Sequence, residues 1–144
     1  MRAKKFNSKA VGMMEAEREG WFVHDVERHL GSMPPRSFIT VDFLGNGGGD
    51  FICWRKHPTI PGATEWLLVN GTTEKHLKQH IEDAQANKRL KREWLDLGLR
   101  YEIWAYPDLE QREAGEAGCR RVAIGPNAGA VAVSSRAGKP GSSD

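Results

Sequence analysis

The chain has 144 residues, of which 39% are hydrophobic and 28% are charged, and its formal net charge is +2. This composition predicts one globular domain, and because no apolar run approaches roughly 20 residues, it excludes a membrane span and a signal-peptide core. Cys53 and Cys119 lie far apart, which is not a disulfide framework, so we expect a cytoplasmic protein with reduced thiols.

The first elements are predicted to be a helix and a strand. Ser8 is a suitable N-cap for KAVGMMEAEREG, whose helical spacing ends at Gly20. WFVHDVERHL (residues 21–30) predicts a strand. GSMPPR (residues 31–36) is expected to form a loop, because its two prolines cannot donate to a strand ladder.

Strands dominate the next stretch of the chain. SFITVDFL (residues 37–44) and DFICWRK (residues 50–56) are rich in β-branched and aromatic residues, and we expect them to pair as a hairpin across GNGGG. EWLLVN (residues 65–70) is the strongest strand prediction, because a continuous apolar run is typical of a strand that is covered on both faces.

The chain then changes to a helical period. Leu77, Ile81 and Ala84 share one helix face, and a new apolar stripe begins at Leu90. This shift predicts two helices that are broken near Asn87, with Asn87 capping the second.

A last strand, LRYEIWAY (residues 99–106), is predicted after Gly98. Beyond it the chain is rich in Gly, Ala and Ser, with one short strand expected in CRRVAIG (residues 119–125). We therefore place an α/β domain at residues 1–108 and a low-complexity, largely disordered C-terminal tail at residues 109–144. The order α-β-β-β-α-β predicts an α/β fold with a mixed central sheet flanked by helices.

Four stretches in this order resemble a known family. EREGWFV, VDFLGNGGGDFI, EWLLVNGTT and REWLDLGLRYEIWAY together resemble the PD-(D/E)xK, or restriction-endonuclease-like, nuclease superfamily, and within it small phage and prophage proteins related to Holliday-junction resolvases. The resemblance covers about residues 9–107. It implies an αβββαβ core and a Mg²⁺- or Mn²⁺-dependent endonuclease that acts on branched or structured DNA. It also implies a homodimer, encoded by a phage or prophage in a bacterial host cell.

The chemistry of such an enzyme requires oxygen ligands on adjacent strands. Hydrolysis of a phosphodiester uses a divalent cation that lowers the pKa of a bound water and neutralises charge on the phosphate. Mg²⁺ takes oxygen ligands and keeps several waters, so one or two carboxylates suffice. Side chains on neighbouring strands lie about 5 Å apart, which is close enough to share one cation.

The resemblance assigns the motif residue by residue. It puts the first acid at Asp50, the second acidic position at Asn70 and the lysine position at Thr72. Asp50 and Asn70 are then the expected metal ligands, Asn70 through its uncharged carbonyl oxygen. The chain departs from the motif here, because Thr72 cannot replace an ammonium group.

Further residues complete the predicted site. In some relatives the lysine comes from the following helix, where this chain has Lys75 and Lys78, and we expect Lys75 to reach back toward the strand end. The resemblance also implies a further acid from the first helix, and among Glu15, Glu17 and Glu19 we choose Glu15, since it borders the buried stripe. Asp42 is either a second acid beside Asp50 or a surface residue at a strand edge.

Two side chains have competing interpretations. Asp50 follows three glycines, so it is either a metal ligand or an acid that closes a turn. We favour the ligand, because the following strand also ends in polar residues. His76 and His80 have the spacing of a zinc-binding pair on one helix face, although two solvent-facing polar residues fit the amphipathic pattern better.

A basic cluster and four tryptophans are the remaining candidates for nucleic-acid contact. NKRLKR (residues 87–92) is either a phosphate-binding surface or a solvated helix face. The residues predicted to bind nucleic acid are Lys78, Lys88, Arg89, Lys91 and Arg92. Trp66, Trp94 and Trp104 are expected in the core rather than as base-stacking platforms, and Trp54 is expected to be partly exposed.

The sequence therefore predicts a metal-dependent DNA endonuclease. The alternative is a catalytically degenerate module with the nuclease fold that binds DNA or a protein, which the departures at Asn70 and Thr72 would explain. A third hypothesis is a sheet that serves only protein–protein contacts.

Overall fold

The computed structural model describes residues 6–33, 37–115, 117–127 and 129–134. It is a mixed α/β fold, in which helices flank a six-stranded mixed sheet. The helices are α1 (Ser8–Arg18), α2 (Leu77–Ala86), α3 (Lys88–Glu93) and α4 (Leu109–Glu113). The strands are β1 (Phe22–Asp25), β2 (Arg28–Met33), β3 (Ser37–Val41), β4 (Phe51–Lys56), β5 (Thr64–Thr73), β6 (Arg100–Tyr106), β7 (Arg120–Ile124) and β8 (Ala130–Ser134).

The main sheet has the strand order β1-β4-β5-β6-β7-β8. β5 and β6 run parallel, and the other neighbouring strands are antiparallel. A parallel pair needs a long crossover, which α2 and α3 supply here. β2 and β3 form a separate two-stranded sheet. In the chain this hairpin is inserted between β1 and β4, which are neighbours in the main sheet.

The central strands bury both of their faces. On one face, Leu67 and Val69 of β5 pack with Phe51 of β4 in the apolar cluster that includes Ala16 of α1. On the other face, Leu68 belongs to a second cluster with residues of α2, α3 and β6: Leu77, Ala84, Leu90, Tyr101 and Ile103. The prediction that residues 65–70 form a strand covered on both faces is confirmed over Leu67–Asn70.

The predicted hairpin between residues 37–44 and 50–56 is wrong. β3 pairs with β2, whereas β4 lies between β1 and β5. An isolated bridge joins Phe43 to Gly49, with backbone N–H···O distances of 2.8 and 3.0 Å. Residues 43–49, the glycine-rich loop, turn back on themselves at positive φ, so they close a small loop instead of linking two long strands. Of the predicted loop at 31–36, residues 31–33 belong to β2 and residues 34–36 lie outside the described residues.

Asparagine caps the N-termini of both α1 and α3. Asn7, rather than Ser8, caps α1, and its side chain accepts a hydrogen bond of 3.0 Å from the N–H of Ala10. The predicted helix break is confirmed, because Asn87 separates α2 from α3 and accepts a hydrogen bond of 2.9 Å from the N–H of Leu90.

The tryptophans divide between core and surface. Trp94 and Trp104 are buried, as predicted, and Trp54 is half-buried. The core prediction for Trp66 is wrong, because 40% of this residue is exposed near the start of β5, before the strand enters the part of the sheet that is covered on both faces.

The ordered fold continues past the boundary predicted at residue 108. β7 pairs with β6, and Val122 and Ile124 enter the core, so β7 belongs to the domain and the short strand expected in residues 119–125 is confirmed. Residues 135–144 of the predicted tail lie outside the described residues. None of the helices in the described ranges has the length and hydropathy that a bilayer crossing requires.

Candidate metal and catalytic site

Three carboxylates meet at one end of β4. Asp50 immediately precedes β4, Glu27 lies between β1 and β2, and Asp42 follows β3. One oxygen of each carboxylate lies within 4.8 Å of the others, a group that can hold a metal ion. The alternative in which Asp42 pairs with Asp50 therefore matches the geometry, and Glu27 is a member that the sequence analysis did not identify.

Backbone hydrogen bonds join the segments of Glu27 and Asp50 to each other and to β5. The N–H groups of Val26 and Glu27 donate to the carbonyl oxygen of Asp50 at 3.0 and 3.2 Å. The N–H of Asp50 donates to the carbonyl of Val69 in β5 at 2.8 Å. Asp50 and the segment of Glu27 are thereby fixed relative to each other and to β5.

Asp50 is buried, with only 6% of the residue exposed. Its Oδ2 accepts a hydrogen bond of 2.8 Å from the N–H of Gly71. Burial raises the pKa of Asp50 to about 8, against the lowering effect of the Gly71 N–H, and the nearby charges of Asp42 and Glu27 raise it further. Burial, followed by the charge of Glu27, also raises the pKa of Asp42.

The glycine-rich loop is tied to the elements around the site. The Nδ2 group of Asn87 donates to the carbonyl oxygens of Leu44 and Asn46 at 3.0 and 2.8 Å. A Cβ atom added at Gly47 would lie 2.4 Å from the carbonyl oxygen of Asp83, and one at Gly48 would lie 1.9 Å from that of Phe43. The glycines are therefore required for close backbone packing, which explains the GGG run in front of Asp50.

Lys9 of α1 brings a positive charge to the acidic group. Its Nζ donates to Oε1 of Glu27 at 2.9 Å and lies 2.9 Å from Oδ2 of Asp25. Burial lowers the pKa of Lys9, but the hydrogen bonds to Glu27 and Asp25 outweigh this effect and raise the pKa overall. Lys9 is therefore an ammonium group at the site.

The three acids open onto a cavity of ≈ 510 Å³. The residues that line it are Phe6, Asn7, Ser8, Lys9, Glu27, Asp42, Asp50, Asn70, Gly71 and His80. The cavity thus combines the acidic group with an ammonium, an amide and an imidazole.

Asn70, the predicted second metal ligand, lines the cavity, and its amide group is already engaged. Its role as a ligand stays a prediction. Its Nδ2 donates a buried hydrogen bond of 2.7 Å to the carbonyl of Gly48, which also accepts one of 2.9 Å from the hydroxyl of Tyr101. Asn70 therefore fixes the glycine-rich loop, in addition to facing the cavity. Thr72 is buried in β5 and does not belong to the cavity lining.

The structure does not bring the other predicted catalytic residues to this cavity. The carboxylate of Glu15 accepts a hydrogen bond of 2.7 Å from the hydroxyl of Tyr106 and forms an ion pair of 3.0 Å with Arg121. Lys75 is exposed, and its N–H donates to Asp108 at 3.3 Å. Lys78 is also exposed and is not part of the lining. α1 contributes Lys9 to the site instead of Glu15.

Most cations of the predicted basic surface form ion pairs with nearby acids. Arg89 and Arg92 both contact Glu93, at 2.9 and 3.2 Å, and Lys91 contacts Asp96 at 3.0 Å. These cations and Lys88 are exposed on α3. The pairing matches the interpretation as a solvated helix face, and contact with phosphate stays a prediction.

The histidine pair does not form a metal group with the acids. His80 lines the cavity, and burial lowers its pKa, which favours the neutral imidazole. His76 is exposed at the end of the 3-10 turn before α2. Within the described residues, the group with metal-binding spacing contains neither histidine.

Glu27 was missed because nothing in the local sequence marks it. The segment WFVHDVERHL was predicted to be one strand, and the break between β1 and β2 is what turns Glu27 toward Asp50. Comparison of the chain with known protein families, with curated proteins and with solved structures gives no match.

Proposed function

We propose that the protein is a metal-dependent DNA endonuclease of the PD-(D/E)xK type that acts on branched or structured DNA in phage or prophage DNA processing. The observation that carries the proposal is the convergence of Glu27, Asp42 and Asp50, with Lys9 beside them, on one open cavity at the junction of β4 and β5.

The order of elements supports this proposal. Without the inserted β2–β3 hairpin, the chain runs α1-β1-β4-β5-α2-β6, which is the αβββαβ order that the resemblance implies. These four strands lie side by side in the sheet in the same order. Asp50 then stands at the start of the second core strand, where the motif has its first acid.

The missing parts of the motif have candidate replacements close to Asp50. Asp42 and Glu27 provide the second carboxylate that Asn70 lacks, and they belong to the inserted hairpin and its approach. Lys9 provides the ammonium that Thr72 lacks. The uncharged Asn70 holds the glycine-rich loop in place.

The three carboxylates suit Mg²⁺ or Mn²⁺, because hard cations prefer oxygen ligands. A cation bound there supplies a water of lowered pKa and charge stabilisation for the phosphate. Asp50 must lose its proton to act as a ligand, and Lys9 is placed to stabilise the negative charge that develops on the phosphate oxygens.

A catalytically degenerate binding module is the second candidate function. It is favoured by one observation: Lys9 is held between Glu27 and Asp25, both at 2.9 Å, so its ammonium is already neutralised by carboxylates. Such a protein binds DNA or a protein partner without cutting DNA. The homodimer and the cytoplasmic location stay predictions in either case.

The test is a cleavage assay on three DNA forms: supercoiled plasmid, linear duplex and a four-way junction. The proposal predicts cleavage in Mg²⁺ or Mn²⁺, none with chelator, and none by Asp50→Asn. Asp96→Asn is the matched control, since Asp96 is an exposed aspartate that pairs with Lys91. Absence of cleavage in both metals, or full activity of Asp50→Asn, contradicts the proposal, and binding without cleavage favours the second candidate.

A further inference from the structure

A column of three aromatic rings crosses β1, β4 and β5. Phe22 pairs with Trp54, and Trp54 pairs with Trp66, in the strand register. The ring centroids of Phe22 and Trp54 are 6.0 Å apart at an angle of 26°, and those of Trp54 and Trp66 are 5.9 Å apart at 32°. Phe22 and Trp54 therefore stack, and Trp66 continues the row across the sheet at a tilt to Trp54.

Both ends of this aromatic column are open. Phe22 is 65% exposed on β1, which is an edge strand of the main sheet, and Trp66 is 40% exposed at the other end. Trp54, in the middle, is half-buried. Aromatic rings buried in a core would be covered on all sides, whereas this column leaves ring surface available for a further flat group.

The charges around the column favour an anionic ligand. Side chains alternate along a strand, so His24 and Lys56 share the face of Phe22 and Trp54. Both are exposed, and Lys56 forms no ion pair with any residue that the structure describes.

The nearest acids on these strands belong to the opposite face. Asp25 contacts Lys9, and Glu65 forms ion pairs with Arg55 and Arg100. The column is thus bordered by the ammonium of Lys56, which is unpaired among the described residues, whereas Asp25 and Glu65 already have cationic partners.

We propose that the aromatic column is a binding site for unpaired nucleic-acid strands, whose bases stack on Phe22 and Trp66 while Lys56 contacts the phosphate backbone. Every base has a flat aromatic face, so such a site accepts single strands of any sequence. A duplex keeps its bases stacked internally and cannot use the column in this way.

The column is connected to the acidic group through one strand. Trp54 and Asp50 lie four residues apart in the chain, which corresponds to about 13 Å at ~3.3 Å per residue. The column and the cavity that contains Asp50 therefore lie within the span of one bound single strand. This part of the inference rests on the proposed function, and it specifies DNA with an unpaired segment as the substrate class.

The test is the binding of a fluorescently labelled oligo(dT) and of a duplex of equal length, measured by anisotropy in the presence of a chelator. We expect the single strand to bind more tightly than the duplex, and Phe22→Ala and Trp66→Ala each to weaken it by about tenfold. Phe22→Tyr, which keeps the ring, should bind like the parent. Leu97→Ala is the matched control, because Leu97 is 68% exposed and lies outside the column.

The outcomes separate this inference from the proposed function. Equal binding of single strand and duplex, or unchanged binding by both alanine variants with intact circular dichroism spectra, overturns it. So does a column that is covered by a second copy of the chain, which sedimentation would reveal as a dimer that Phe22→Ala dissociates. Because the assay contains no free divalent cation, failure of the nuclease proposal leaves the single-strand binding intact.

Discussion

The backbone N–H of Gly71 donates a hydrogen bond of 2.8 Å to Oδ2 of Asp50, which ties the acid at the start of β4 to the neighbouring strand β5. The backbones of β5 and α1 are also in close contact here, because a Cβ atom placed on Gly71 would lie 3.1 Å from the carbonyl oxygen of Ser8. Asp50 is therefore held at a position where β4, β5 and the start of α1 meet, and the cavity opens at this junction.

The buried carboxyl of Asp50 should make the stability of the cation-free protein depend on pH. The pKa of Asp50 is about 8 in the folded protein, whereas the ordinary pKa of an aspartate is 3.8. Between these two pH values the folded protein therefore keeps a proton that the unfolded chain releases. Stability contributed by this group is complete below about pH 4 and is lost as the pH rises to about 8. Asp50→Asn does not titrate, so we expect its Tm to rise relative to the parent over this range.

Thermal unfolding in chelator at pH 5, 6, 7 and 8 measures this difference. Asp96→Asn, an exposed aspartate, should run parallel to the parent. A constant offset between Asp50→Asn and the parent at all four pH values would show that Asp50 is ionised throughout.

A comparison of Glu27 with Asp25 separates the cation site from the ion pairs of Lys9. Both acids contact Lys9 at 2.9 Å, but only Glu27 belongs to the acidic group with Asp42 and Asp50. Saturating Mn²⁺, at about a hundred times its Kd, should stabilise the parent by about 2.7 kcal/mol. We expect Glu27→Gln to lose most of this gain and Asp25→Asn to keep it.

Chemical unfolding with and without Mn²⁺ measures both effects. The gain should increase with pH up to about 8, since the cation displaces the proton of Asp50. Equal losses in the two variants would assign the effect to Lys9 rather than to cation ligands.

The lysine that assists cleavage is expected to be Lys9, rather than Lys75 of the sequence-based prediction. Lys9 lines the cavity, whereas Lys75 is exposed before α2 and is not in the lining. Loss of one preorganised charge at a phosphoryl-transfer site lowers the rate by roughly a hundred- to a thousand-fold. Single-turnover cleavage should show this loss in Lys9→Gln and an unchanged rate in Lys75→Gln, and the reverse result would restore the sequence-based assignment.

The glycine-rich loop should tolerate alanine at one left-handed position and not at another. Gly45 and Gly47 have φ of 82° and 84°, but a Cβ at Gly45 meets nothing within 4 Å, whereas one at Gly47 lies 2.4 Å from a backbone oxygen. Gly45→Ala should cost about 1 kcal/mol for its backbone conformation alone. Gly47→Ala should cost a further ~1–3 kcal/mol from steric overlap, and urea unfolding measures both. Equal losses would mean that the loop moves freely away from α2.

The sequence predicted elements whose cause is local. The apolar run of β5 and the change of helical phase at Asn87 both depend on neighbours within a few residues, and both predictions are confirmed. Asp50 was predicted to be a metal ligand from the family resemblance; it lies buried beside two other acids, and metal binding there stays a prediction.

Long-range pairing accounts for what the sequence could not predict. β3 pairs with β2, and no local feature of its sequence selects β2 over β4 as its partner. The pairing of β3 with β2 brings Glu27 and Asp42 beside Asp50. Because a different hairpin was predicted, Glu27 was not identified as a member of the site. The exposure of Trp66 also depends on long-range packing, because the apolar residues next to it in sequence do not determine where the covering helices end.

The central claim, that Glu27, Asp42 and Asp50 together bind one divalent cation, is tested most directly by anomalous diffraction from crystals grown with Mn²⁺ near pH 8. The account predicts one Mn²⁺ peak within coordination distance, about 2.2 Å, of carboxylate oxygens of all three residues, and no such peak in Asp50→Asn crystals. A peak elsewhere in the cavity, or an ordered site with the three carboxyls bonded only to one another and to Lys9, would contradict it.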